Sequence, residues 1–179
     1  MSQIITPPAS NDALLLNMVA DGTTTTSGNA YVLPVGDDTV FSTVGVRGDS
    51  ISLDALDDTK INLKKGLYQI NFNAWVQTGP TGTTTVTGSL DYQLQVSTSP
   101  VFAFSDVIHD RLLLYYDSVT LVIDPSHTTL YNVTDDITIY FRVTLGNASA
   151  RTWYVRSAES IAGSTTATNI QVMRVGDAL

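Results

Sequence analysis

Two histidines are the only side chains in this sequence whose ordinary pKa lies near neutrality, and each has a hydroxyl or carboxylate close by in the chain. His109 sits in Ile108-His109-Asp110, and His127 ends Asp124-Pro125-Ser126-His127. A Ser-His-Asp relay can be drawn around either. A triad is a spatial arrangement, however, and the chain has no Gly-x-Ser-x-Gly elbow to hold a nucleophile. Ordinary loop histidines are the simpler reading. The absence of cysteine removes disulfide frameworks, zinc–thiolate sites and thiol nucleophiles together. Gly79-Pro80-Thr81-Gly82 neither ends in Lys-Ser/Thr nor opens a helix, so it is not a phosphate loop. The expectation is a protein that is not an enzyme and carries no cofactor.

Carboxylates come in three adjacent pairs: Asp37-Asp38, Asp57-Asp58 and Asp135-Asp136. A calcium ion wants six to eight converging oxygens, whereas neighbouring residues of an extended chain point to opposite faces. None of the pairs has the spacing of a calcium loop. Each stands where a turn is expected, and Asp suits turns by bonding its own backbone. The expected metal site is therefore none. Asn132-Val133-Thr134 and Asn147-Ala148-Ser149 match a glycosylation pattern that is common by chance. Among the aromatics, Trp75, Tyr140, Trp153 and Tyr154 are candidates for a subunit interface or for stacking on a ligand. Trp75 and Tyr140 earn this because each falls on the face opposite its strand's apolar series.

The elements that would hold these groups have a period close to two from Tyr31 onward. Tyr68, Ile70, Phe72, Ala74 and Val76 share one face of a long strand, with Gln69, Asn71, Asn73, Trp75 and Gln77 on the other. Leu90 to Val96, Ile137 to Leu145, and Ile170 with Val172 alternate in the same way. Leu112, Leu114 and Tyr116 lead through Asp117-Ser118 to Val119, Leu121 and Ile123, which reads as a hairpin. No 3.6-residue apolar pattern and no βαβ rhythm interrupts this. The prediction is an all-β protein: an antiparallel jelly-roll sandwich or barrel of about eight to ten strands. Residues 1–30 read as an extended N-terminal arm before a domain spanning residues 31–179. The arm holds Ile4, Ile5, Pro7 and Pro8, one apolar cluster at Leu14, Leu15 and Leu16, and the low-complexity run Thr23 to Thr26.

A chain of 179 residues, 43% hydrophobic and 15% charged, can bury a core without staples. Its net charge of −8 and nine scattered basic residues disfavour nucleic acid and anionic membranes as partners. The N-terminus lacks the basic region and apolar core of a signal peptide, and no stretch approaches the ~20 apolar residues that span a bilayer. The expectation is a soluble protein made inside a cell.

Gly66-Leu67-Tyr68-Gln69-Ile70-Asn71-Phe72 resembles the G-x-Y-x-(aliphatic)-x-F strand of the C1q and tumour-necrosis-factor jelly rolls. Val133-Thr134-Asp135-Asp136-Ile137-Thr138-Ile139 is similar to a later strand of those domains. Ser164 to Val172 departs from the family's closing segment, and no collagen-like stalk precedes the domain. In style the chain is also similar to jelly-roll cement, decoration and head-fibre proteins of bacteriophage virions. That resemblance implies a homotrimer on the virion surface, assembled in the host cytoplasm. The arm (Ile4, Ile5, Pro7, Pro8, Leu14, Leu15, Leu16) would dock on the major capsid protein. A carbohydrate- or receptor-binding module, with host-surface glycans as partners, is the alternative.

Overall fold

The computed structural model describes residues 12–24, 30–78, 86–99, 107–118, 122–146, 153–157 and 168–179. Within these residues the chain forms strands and no helix. In order they are β1 (Ala13–Met18), β2 (Gly22–Thr24), β3 (Ala30–Val32), β4 (Phe41–Arg47), β5 (Ile51–Leu53), β6 (Ile61–Leu63), β7 (Gly66–Asn73) and β8 (Val76–Thr78). They continue as β9 (Val86–Ser97), β10 (Val107–Ser118), β11 (Val122–Ile123), β12 (Ser126–Val133), β13 (Ile137–Gly146), β14 (Trp153–Val155) and β15 (Asn169–Gly176). The pairings are antiparallel and fall into three sheets, ordered β12-β7-β15-β1-β4, β10-β9-β13-β6-β5 with β3 on β13, and β11-β8-β14-β2.

Alternation in β7 is carried into the structure: Tyr68, Ile70, Phe72, Ala74 and Val76 are buried, and the residues between them are half-buried. Opposite them β13 sends Ile139, Phe141 and Val143 inward, while β1 and β15 add Leu14, Leu16, Ile170 and Val172. Phe72 and Phe141 meet edge to face at 5.4 Å between centroids, which pins the first sheet to the second. Tyr68 is fully buried, yet its hydroxyl donates toward the Lys64 carbonyl at 2.7 Å and lies 3.2 Å from that of Ser50. Burial pushes its pKa up.

Three expectations are corrected. The strands outnumber the eight to ten expected, because a long apolar-periodic stretch can cross from one sheet to another. The single strand expected over Tyr68 to Val76 breaks at Ala74-Trp75, where the Ala74 amide bonds the Pro125 carbonyl and β8 enters the third sheet. Among the described residues the hairpin expected at Asp117-Ser118 is not seen, and Val119 and Leu121 lie outside them. Instead β10 pairs with β9 along its length, Val107↔Ser97 to Ser118↔Val86, and β11 pairs with β8. Periodicity says which side chains point inward; it does not say which strand lies alongside.

The third correction concerns the arm. Residues 13–18 form β1, hydrogen-bonded between β15 and β4 in the first sheet. Leu14 and Leu16 are 0% exposed and Met18 1%. They are core, not docking residues. β2 and β3, also assigned to or beside the arm, pair with β14 and β13. The run Leu14-Leu15-Leu16 hid its strand because Leu15, on the outward side, is apolar too. Just before β1, the buried Asp12 accepts a bond from the Ser50 amide at 3.0 Å and lies against Gly48, whose φ is +80°. That left-handed turn between β4 and β5 favours glycine.

Candidate functional site

Of the docking residues read from the sequence, Ile4, Ile5, Pro7 and Pro8 lie outside the described residues. Leu15 alone of the leucine cluster faces outward, half-buried. Among the aromatics, the backbone of Trp153 pairs with Thr78 and Thr24 in the third sheet, and its side chain lies outside what is described. Tyr140 is 6% exposed although it stands on the outward side of β13. Its partner across the ladder is Ser97, too small to hold a ring away from the sheet. Tyr140 is thus corrected from a surface aromatic to a buried one.

Trp75 and Tyr154 are both joined to Arg156 beside the third sheet, Tyr154 through its ring and Trp75 through its backbone carbonyl. The Arg156 guanidinium lies over the Tyr154 ring at 4.5 Å, donates through Nε to Gln77 Oε1 at 2.9 Å, and pairs through Nη1 with Asp21. Asp21 also accepts from the Ser157 amide at 2.8 Å and hydroxyl at 3.2 Å. Arg156 donates its backbone amide to the Trp75 carbonyl, and Trp75 donates its own to Thr168 Oγ1. One face of Tyr154 is therefore covered, which turns a stacking candidate into a cation–π support. Trp75 keeps a buried indole Nε1 without a hydrogen-bond partner. Asp21 and Arg156 are 135 residues apart, and nothing in the sequence paired them.

In two of the carboxylate pairs the first Asp caps a turn. Asp37 Oδ1 takes the Thr39 amide at 2.9 Å and hydroxyl at 2.6 Å. Asp57 does the same for Thr59 and pairs with Lys60 at 2.9 Å, so its pKa falls to about 2, first through the Thr59 hydroxyl and then through Lys60. Asp136 caps the Lys65 amide at 2.9 Å. His127 stands on the inward side of β12 opposite Phe72, with Nε2 buried and unbonded. The side chain of His109, on β10, lies outside what is described.

The arrangement the sequence reading missed is the outward face of the first sheet. Register lines its side chains up in rows across β1, β15, β7 and β12: Asn17, Asn169, Asn73, Ser126; then Leu15, Gln171, Asn71, Thr128; then Ala13, Met173, Gln69, Leu130. None of these twelve carries a charge, in a chain of net charge −8, and charge returns only on the edge strand β4, where Arg47 continues the third row beside Ala13. The amides bond one another within the face: Asn73 Nδ2 to Asn169 Oδ1 at 2.8 Å, Asn71 Nδ2 to Gln171 Oε1 at 3.0 Å, and Gln69 Nε2 to Asn71 Oδ1 at 3.2 Å. Leu130 is 64% exposed on it. At ~4.8 Å between strands and ~6.8 Å between rows, the face covers roughly 400 Å². A signal for it did exist, since every second residue of Gln69-x-Asn71-x-Asn73 and Asn169-x-Gln171 is an amide.

Superposed on solved structures, the chain is similar to murine APRIL at pH 8.5 with a TM-score of 0.50 and 10% identity, covering 92% of this chain and 98% of that one. It is similar to Eiger TNF from S. frugiperda at 0.50 and 9%, covering 95% and 96%. The fold is a jelly roll of the tumour-necrosis-factor type. The globular domain of zebrafish complement 1qA aligns at 0.47 with 12% identity, over 93% and 98%. No family model matches the chain, and no curated protein sequence does. At these identities the jelly roll is shared and the surface is the chain's own. None of the three rows described above is therefore inherited by argument from a neighbour.

Proposed function

We propose that this protein is a non-enzymatic homotrimeric structural protein, a cement or decoration protein of a phage head. The observation that carries the self-association is the charge-free outward face of β1, β15, β7 and β12. Surfaces that stay in water keep charges, and the centres of protein interfaces lose them. The amide network fixes side chains that would otherwise be mobile, which lowers the entropy cost of burying them. At roughly 400 Å² the face is about half of what one partner contributes to a standard interface, so it would form the centre of a contact whose rim lies on neighbouring strands. Residues 1–11, with Ile4, Ile5, Pro7 and Pro8, are the part of the chain left to dock on the major capsid protein. Three copies of such a segment on one particle would multiply a weak contact.

The test is Thr128→Lys, a charge at an exposed position in the middle row. Wild-type protein should scatter light as about three times 19.3 kDa, and the variant as one. The variant's melting temperature in the monomeric state should be that of a tolerated surface change, within about 0.5 kcal/mol. A wild-type monomer, or a trimer that survives the lysine, would refute the assignment of the face. Removing residues 1–9 should abolish binding to undecorated heads and leave the mass unchanged; binding without them would refute the docking role.

A further inference from the structure

A cavity of about 360 Å³ opens on the second sheet, where β5 and β13 begin and β6 ends. A cross-strand row, Ser52↔Asn62↔Thr138, lines it from mouth to interior, and Asp49, Lys64 and Asp136 stand around it. We propose that this cavity binds a single ring of a polyhydroxylated ligand, a sugar.

The chemistry follows from what the lining has left to give. Thr138 spends its hydroxyl proton on Asn62 Oδ1 at 2.9 Å, so its oxygen faces a ligand as an acceptor. Among the described residues the Ser52 hydroxyl, exposed at the mouth, is uncommitted and can both donate and accept. Asp136 uses Oδ1 on the Lys65 amide and keeps Oδ2. Lys64 holds Asp49 at 3.1 Å with one of three protons. Donors and acceptors of both charge types thus alternate around one small space, and the group that satisfies both kinds at once is a hydroxyl. A phosphate or carboxylate would meet two aspartates, and a bare cation would meet Lys64. Ile137 offers the apolar contact that the C–H face of a ring needs. The volume lies at the low end of ligand sites, which run from roughly 300 to 1,000 Å³, and it suits one ring rather than a chain of them.

The test is a titration of the full-length protein, followed by ¹H–¹⁵N shifts, with glucose, galactose, mannose and N-acetylglucosamine and with their methyl glycosides. A sugar of about a dozen heavy atoms without an aromatic platform should bind with Kd on the order of 1 mM. The expected result is saturable shifts at Ser52, Asn62, Lys64, Asp136 and Thr138 with at least one of the probes. A methyl glycoside that binds as well as its free sugar identifies the terminal residue of a glycan; binding of the free sugar alone identifies a metabolite. Asp136→Asn keeps an oxygen for the Lys65 amide, so the fold is retained, and it should weaken binding about tenfold; Ser52→Ala should weaken it a few-fold. No saturable shift with any probe overturns the proposal. So does binding that both variants leave unchanged, or shifts confined to Trp75 and Tyr154.

Discussion

Truncation tests whether β1 belongs to the folded domain. Leu14, Leu16 and Met18 are 0%, 0% and 1% exposed, and β1 is bonded on both sides. Leu16→Ala should cost about 2–5 kcal/mol, the range for a buried leucine that leaves a cavity. In a chain of this length that is a drop of roughly 4–20 °C in melting temperature. Losing all three side chains approaches or exceeds the ~5–15 kcal/mol that holds a domain together. A chain beginning at Tyr31 should therefore not fold, whereas one beginning at Ser10 keeps β1 and the bond from the Ser50 amide to Asp12 and should melt like the parent. Leu15→Ala is the internal control: one residue away but half-buried on the outward face, it should cost the monomer less than about 1 kcal/mol. Far-ultraviolet circular dichroism with thermal melts reads all four. A chain starting at Tyr31 that melts cooperatively within a few degrees of the full protein would refute the reasoning, as would equal losses for Leu15→Ala and Leu16→Ala.

Two further predictions rest on the turns. Gly48→Ala should cost roughly 2–5 kcal/mol in chemical denaturation: about 1–2 for a side chain at φ +80°, and the rest for a Cβ that would stand 1.7 Å from Asp12 Oδ1 and drive that carboxylate off the Ser50 amide. A loss below about 0.5 kcal/mol would mean the turn relaxes freely. Asp57 has its pKa lowered from 3.8 to about 2 in the folded state, so its contribution is present above 3.8 and is lost as pH falls toward 2. Asp37 and Asp54 are shifted in the same direction. Asp57→Asn should flatten the acid limb of stability in that window, and an unchanged slope would show that the cap is not formed in solution.

Alternation along β7 and β13 was enough to determine the all-β class and most of the core, because burying one face of a pleated strand demands a period of two whatever the partner. The turn role of Asp37 and Asp57 was legible for a similarly local reason, a short carboxylate reaching its own backbone two residues on, whereas the bond from the Lys65 amide to Asp136 spans two strands and was not. Pairing was not local. Nothing in Leu112 to Ile123 says that β10 lies beside β9, and nothing in Leu14-Leu15-Leu16 says that β1 fills the gap between β15 and β4. Those choices are made by partners outside the segment itself, from Ser97 opposite Val107 to Val172 opposite Leu14, on the far side of the chain. The charge-free face follows the same logic. Each strand contributes three uncharged residues that look unremarkable alone, and only the register of four strands assembles them into one surface.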